Sequence, residues 1–203
     1  MKIAHIETLI SRGSFSTSEE WAKLRSAVLT AVRNVEWPPG SGQFTIYPES
    51  GKKRGMGNGV EPIKNGFIAE LKAQDWIDEY ALPIAVRKKP GEIDIVYKTA
   101  SGSIVAVEWE TGNVSSSHRA LNKMALGLIK GYLAAALLIV PSRELYRYLT
   151  DRIGNYAELE PYLDFWRCLP CELGIFEIVV IEQDATSTDV PRIPKGTDGR
   201  AKG

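Results

Sequence analysis

Glu108 and Glu110 are the residues whose placement asks for chemistry. They close an otherwise apolar run, Ile104-Val105-Ala106-Val107-Glu108-Trp109-Glu110, which follows a second such run, Ile93-Asp94-Ile95-Val96-Tyr97-Lys98-Thr99. Both runs are rich in β-branched and aromatic residues and flank Ala100-Ser101-Gly102-Ser103, which is the pattern of a hairpin. Side chains alternate along a strand, so Glu108 and Glu110 share a face at a separation of about 7 Å while Trp109 points the other way. Two like charges held so close invite a cation.

Whether Asp94 joins them depends on register, because residues directly opposite one another share a face. A symmetric turn of two or four residues pairs Asp94 with Trp109 and turns it away. A loop of three or five residues, with Gly102 supplying a left-handed position, pairs Asp94 with Glu108 or Glu110. The odd loop is the expectation. It places the carboxylates of Asp94, Glu108 and Glu110 at one end of a sheet, a set of hard oxygen donors that suits Mg²⁺ better than zinc. The plain alternative is a solvated acidic face. Just beyond the acids, Asn113 and Ser115 stand where a strand gives way to a helix, whose exposed N–H groups favour phosphate or base-edge acceptors. Arg119 lies one turn further on the same side, and arginine can engage guanine O6 and N7 together.

The elements that must carry these residues are legible from periodicity. Thr17-x-x-Glu20 has the form of a capping box, followed by Trp21, Leu24, Val28, Val32 and Val35 at helical spacing. A short strand at Phe44 to Tyr47 precedes a polar loop, Pro48 to Gly59, that holds Lys52, Lys53 and Arg54. Glu61-Pro62 opens a helix with Ile63, Phe67, Leu71 and Trp76 as its buried stripe. A strand is predicted near Leu82 to Val86. Beyond the hairpin come a helix over 116–132, a buried strand over 134–140, helical patterns over 143–152 and 156–166, and an apolar strand over 175–181. From Asp184 onward Thr, Ser, Pro, Lys and Gly dominate without apolar period, which predicts an arm lacking structure of its own. The expectation is a single α/β domain over residues 1–183, with a central mixed sheet built around the hairpin and helices on both faces, and a C-terminal arm over 184–203 placed to contact DNA.

Bulk properties narrow the function without naming it. The 203 residues suffice for a substantial core, and Lys plus Arg equals Asp plus Glu at 25 each. Net neutrality leaves a nucleic-acid partner open, since an acidic ion site cancels basic residues used elsewhere. No apolar run reaches the length of a membrane span, and no signal-peptide core opens the chain, so the expected location is cytoplasmic, without a membrane partner. Cys168 and Cys171 form Cys-Leu-Pro-Cys after a helical pattern and before a strand, the reverse of a redox pair's usual setting, and are read as reduced thiols.

Asp94…Glu108-x-Glu110 resembles the nuclease motif written PD…(D/E)xK, with glutamate in place of lysine. Longer blocks are more specific: Glu110-Thr-Gly-Asn-Val-Ser-Ser-Ser-His-Arg119, Asn122-Lys123, Leu149-Thr-Asp-Arg152, Glu158-Leu-Glu-Pro-Tyr162 and Ile193-Pro-Lys-Gly-Thr-Asp-Gly199. With Asn58-Gly59-Val60 and Pro62-Ile63-Lys64, these blocks closely resemble the BamHI-type type II restriction endonucleases, in the same order from Trp37 to Gly199; the first 36 residues carry little of the likeness. The resemblance implies a homodimer that uses Mg²⁺ to cut both strands of double-stranded DNA at GGATCC, leaving 5′-phosphate and 3′-hydroxyl ends.

By the same resemblance, Asp94 and Glu108 match the metal ligands and Glu110 the glutamate that orients or deprotonates the attacking water. Glu79 matches a further catalytic acid if a short gap is allowed. Asn113, Ser115, Arg119, Asp151, Arg152 and Asp198 match DNA-reading positions, and Lys64 is added to the DNA-binding set. Helices 116–132 and 156–166, with Tyr132, Tyr162 and Trp166, are the candidate dimer interface. The competing readings are a repair or junction nuclease sharing the metal site, a DNA-binding regulator without turnover, and a thiol oxidoreductase at Cys168 and Cys171.

Overall fold

The computed structural model describes residues 1–52, 55–84, 91–150 and 153–195. In chain order the elements are β1 (Lys2–Arg12), α1 (Glu19–Asn34), β2 (Thr45–Ile46), α2 (Glu61–Lys72), β3 (Ile77–Ala81), β4 (Glu92–Lys98) and β5 (Ile104–Trp109). They continue with α3 (Val114–Ile129), β6 (Ala135–Pro141), α4 (Arg143–Tyr146), α5 (Tyr156–Leu159), α6 (Leu163–Arg167), β7 (Gly174–Glu182) and β8 (Ala185–Thr186). Six strands form one mixed sheet in the order β1-β7-β6-β5-β4-β3, and β2 with β8 makes a small parallel pair. β5, β6 and β7 run parallel, while β1, β4 and β3 are antiparallel to their neighbours.

Alternation along the central strands divides the interior into two layers. Val105, Val107 and Trp109 of β5, with Leu137 and Ile139 of β6, pack under α1 and α2 through Val28, Val32, Phe67 and Leu71. Ala106 of β5, with Leu138 and Val140 of β6, packs under α3 and α6 through Leu121, Met124 and Trp166. Helices therefore cover both faces, as a sheet with a parallel core requires. The hairpin sits off centre, however: β5 is internal, and β4 is followed by the edge strand β3.

Several elements differ from their sequence patterns for identifiable reasons. β1 shows no clean alternation in the sequence because its pairing with β7 is interrupted between Ile3 and His5 and again between Thr8 and Ile10, so the inward face switches along the strand. The strand expected near Leu82 to Val86 lies earlier, at Ile77–Ala81, where an edge position leaves Ile77, Glu79 and Ala81 exposed; Ala85 and Val86 fall outside the described residues. α1 is capped by Ser18, whose Oγ accepts from the Trp21 N–H at 3.1 Å, one residue beyond the expected cap at Thr17. The long helical patterns after Ser142 break into α4, α5 and α6; Pro161 shapes the short 3-10 turn Glu160–Tyr162 between the last two.

The segment after Asp184 is held more firmly than its composition predicts. β8 pairs with β2, Trp37 Nε1 donates to the Pro191 carbonyl at 2.7 Å, and Ile193 is buried. Asp184 anchors its start, with Oδ2 at 3.1 Å from the Met1 α-ammonium and accepting from the Phe44 N–H at 2.7 Å. Composition could not reveal this, because the partners are residues far away in sequence.

Candidate active site

The hairpin register decides the site. β4 ends at Lys98 and β5 begins at Ile104, which leaves five residues in the loop; Gly102 takes φ 82 there, and Lys98 pairs with Ile104 through to Ile95 with Val107. Continuing that register sets Asp94 opposite Glu108, as the odd loop predicts. The side chains then cross the strands. Asp94 Oδ2 accepts from the Trp109 N–H at 2.8 Å, and Glu108 Oε2 accepts from the Asp94 N–H at 3.3 Å. The pair is locked to the backbone of the strand end rather than left to solvent.

Glu110 continues the β5 line, its N–H donating to the Ile139 carbonyl at 2.9 Å. Only 6% of Glu110 is exposed, and its Oε1 accepts from the Gly112 N–H at 2.5 Å. Asp94, Glu108 and Glu110 all line one cleft of about 940 Å³, while Trp109 turns to the other layer and packs on Phe67 at 4.9 Å between ring centroids. The cleft's second wall is α3. Ser115, Arg119, Asn122 and Lys123, at helical spacing, present one face to it. Asn113 caps this helix through Oδ1, which accepts from the Ser116 N–H at 3.2 Å. Gly154 closes behind the first turn: its N–H donates to the Gly112 carbonyl at 2.8 Å, and a Cβ there would lie 2.2 Å from Ser117 Oγ.

Two lysines answer the acids. Lys64, in the first turn of α2, places Nζ 2.5 Å from Asp94 Oδ1. Lys123 donates to the carbonyls of Gly91 and Glu92 at 3.0 and 2.7 Å and stands 3.7 Å from Glu108 Oε1. Burial pushes the Glu108 carboxyl up to about 7, the Asp94 charge adds to that rise, and Lys123 opposes it. Glu110 is also raised, first by burial; the Ser117 hydroxyl and the Gly112 N–H oppose the rise, although among the described residues Ser117 Oγ has no partner inside normal hydrogen-bond limits. Both acids are raised although Lys64, Arg119 and Lys123 line the same cleft, so burial outweighs the attraction of those cations.

The donor set fits Mg²⁺ in a particular manner. Among the described residues no three carboxylate, imidazole or thiol groups converge as a ready-made cage. Glu110 is drawn back to its own turn by Gly112, and Lys64 occupies one oxygen of Asp94. What remains is a facing pair of hard oxygen donors, Asp94 and Glu108, and Mg²⁺ is commonly held by one or two carboxylates, with water and substrate phosphate completing its shell.

Other expected site residues are placed as follows. The register sets Glu79 across β4 from Asp94, on the exposed edge strand and at φ 49. Lys64 faces Asp94 rather than the outside. Asp151, Arg152 and Asp198 lie outside the described residues. Of the proposed interface residues, Tyr132 and Tyr162 are exposed, but Trp166 is 1% exposed, with Nε1 donating to Asn122 Oδ1 at 3.1 Å, and belongs to the core. Cys168 is exposed and Cys171 buried, both free. Lys123 had no role in the sequence reading; its spacing after Ser115 and Arg119 on a helix was the signal that could have found it.

A mixed sheet with acids at the end of its β4–β5 hairpin, facing the start of a helix, is the restriction-endonuclease architecture. The solved structure of the restriction endonuclease BglII complexed with a DNA 16-mer aligns with a TM-score of 0.56 at 11% identity, covering 95% of this chain and 88% of that one. Sequence relations are closer. The family model described as restriction endonuclease BamHI matches residues 1–200. The chain is 43% identical over 201 residues to the type II restriction enzyme OkrAI of Oceanobacter kriegii, covering 99% of both chains. It is 37% identical over 181 residues to the type II restriction enzyme BamHI of Bacillus amyloliquefaciens, covering 86% of this chain and 81% of the relative. The chain belongs to the BamHI family of type II restriction endonucleases. That relation includes the first 36 residues, where the short blocks are too sparse to show it.

Proposed function

We propose that this protein is a homodimeric endonuclease that makes Mg²⁺-dependent double-strand cuts in duplex DNA at a palindromic site, with GGATCC the first candidate, leaving 5′-phosphate ends. The observation that carries the reading is the hairpin register, which sets Asp94 opposite Glu108 and puts Glu110 in the same cleft beside the start of α3.

Asp94 and Glu108 would hold the ion. When bound, Mg²⁺ supplies the positive charge that lets a phosphodiester approach an acidic cleft and that stabilises the negative charge developing during hydrolysis. Glu110 orients the attacking water and accepts its proton; burial raises its affinity for that proton, which suits a base working near neutral pH. Lys64 holds Asp94 in place, and Lys123 stands beside Glu108. Glu79 is the fourth acid, contributing from the strand edge. Asn113, Ser115 and Arg119 present polar groups to the DNA from the start of α3, and Asp151, Arg152 and Asp198 complete the reading set. Residues 1–183 form the nuclease domain and 184–203 an arm contacting DNA. A palindrome read twice calls for a two-fold axis, and exposed Tyr162, on the turn between α5 and α6, offers surface for it.

No helix among the described residues is long and apolar enough to cross a membrane, and a cytoplasmic enzyme acting on duplex DNA fits that. The test is digestion of a long natural DNA with and without Mg²⁺, followed by sequencing of the ends. Discrete fragments that end at one palindrome and appear only with the ion are expected. Smeared products or structure-dependent nicks would instead mark a repair-type nuclease. Sedimentation that finds only monomer at working concentration would remove the palindromic reading.

A further inference from the structure

Hydrogen bonds to the strand backbone fix one oxygen of each facing acid and leave the other for a cation. Asp94 Oδ2 is taken by the Trp109 N–H at 2.8 Å, and Glu108 Oε2 by the Asp94 N–H at 3.3 Å. The remaining two oxygens each stand near a lysine: Lys64 Nζ is 2.5 Å from Asp94 Oδ1, and Lys123 Nζ is 3.7 Å from Glu108 Oε1. The oxygens a divalent ion would use are those the chain already supplies with ammonium groups.

The two lysines are held differently. Lys123 Nζ donates to the carbonyls of Gly91 and Glu92 at 3.0 and 2.7 Å, so the backbone at the start of β4 sets its position. Lys64 Nζ has Asp94 as its one partner among the described residues. It reaches that partner from the first turn of α2 on a flexible four-carbon stem, and its side chain is 26% exposed. Lys123 is a fixed charge, and Lys64 is one that can leave. An ammonium is a compact point charge that pairs with a single carboxylate oxygen, as a hard divalent ion does, so the two repel each other at Asp94 Oδ1.

We propose that Lys64 is an internal counter-cation that competes with the divalent ion for Asp94 Oδ1 and so sets the ion affinity of the DNA-free protein below what two facing carboxylates alone would give. The inference rests on the reading of Asp94 and Glu108 as the ion's ligands, and it gives Lys64 a second task besides steadying Asp94. The two tasks make opposite predictions. Were Lys64 only a support, its loss would loosen Asp94 and weaken ion binding. As a competitor, its loss tightens ion binding, because the Trp109 N–H still holds the carboxylate.

The test counts Mn²⁺ bound to the full-length, DNA-free protein by the electron paramagnetic resonance of the free ion, with Mg²⁺ added as competitor and thermal unfolding followed alongside. Lys64→Met should bind Mn²⁺ about 10-fold more tightly than wild type, since a unit charge has been removed from beside a ligand oxygen. Lys72→Met, on the same helix but paired with Asp78 at 2.6 Å, should leave the affinity unchanged. Unchanged or weaker binding by Lys64→Met, with cooperative unfolding retained, overturns the proposal; so does equal tightening by Lys72→Met, which would mark an effect of net charge. Lys64→Gln takes the place of the methionine variant if that one does not fold. Asp94→Asn tells this failure from that of the site: if it binds Mn²⁺ as wild type does, the ion lies elsewhere, and the assignment of Asp94 as ligand falls together with the inference.

Discussion

Glu177 and Glu110 are glutamates in or at the end of strands of one sheet, 5% and 6% exposed, and they do opposite things. Glu177, on β7 beneath α1, receives Arg25 Nε at 2.9 and 3.2 Å through both oxygens, and Thr8 Oγ1 at 3.3 Å. Its charge is matched by a dedicated partner. Glu110 has a backbone N–H and a nearby hydroxyl, and shares with Glu108 a cleft in which Lys64 pairs with Asp94, Lys123 binds largely the carbonyls of Gly91 and Glu92, and Arg119 on the facing wall attracts Glu110 without closing an ion pair. Burial is the same; compensation is not. A buried acid with its own guanidinium is architecture, and a buried acid without an ion pair of its own is the setting we propose for an ion and a proton transfer.

That contrast is sharpest in turnover. Glu110→Ala should retain DNA binding and lose cleavage by about 10³-fold or more, with unfolding close to wild type; a gel-shift assay beside a cleavage time course checks it, and near-normal turnover would remove the role assigned to Glu110. Glu177→Gln should do the reverse. It leaves Arg25 without its charge partner and should cost about 2 kcal/mol in urea unfolding, a value discounted because Arg25 is partly exposed, while the cleavage rate per folded molecule stays unchanged.

The pH dependence has a definite sign. Burial pushes the folded Glu108 carboxyl up to about 7 from the ordinary 4.5 of a glutamate, so between those values the ion-free folded state binds more protons than the unfolded one. Stability in the presence of a chelator should therefore fall as pH rises through that window, by about 1 to 3 kcal/mol, and denaturant midpoints across the window measure it. Added Mg²⁺ should flatten the curve; a chelated protein that gains stability over the same range would contradict the assignment. The smallest effect is expected for Lys123→Met, which removes the cation 3.7 Å from Glu108: its titration, followed by NMR, should move upward, with stability changing by about 1 kcal/mol or less.

Much of the chain could be read without coordinates. The central strands β5, β6 and β7 are apolar runs, and α3 has a clean buried stripe in Leu121, Met124, Ala125 and Leu128. Their patterns survive because each faces a single environment. β1 and β3 were missed or misplaced because they lie at the edges, where two interruptions of pairing in one and exposure of the other erase the period of two. The fate of residues 185–195 is illegible for a related reason, since what holds them, β2, Trp37 and the core around Ile193, lies far away in sequence and leaves no mark on composition.

For the site itself, residue types and alternation along one strand were enough to put Glu108 and Glu110 on the same face with Trp109 on the other, because that follows from the geometry of a single strand. Whether Asp94 joins them turns on register; the odd loop is the one expected, and pairing across a five-residue loop is what the structure has. Tertiary structure also decided what no local pattern contains: that lysines from two separate helices meet the acids. That depends on distances between segments far apart in the chain, which only packing defines.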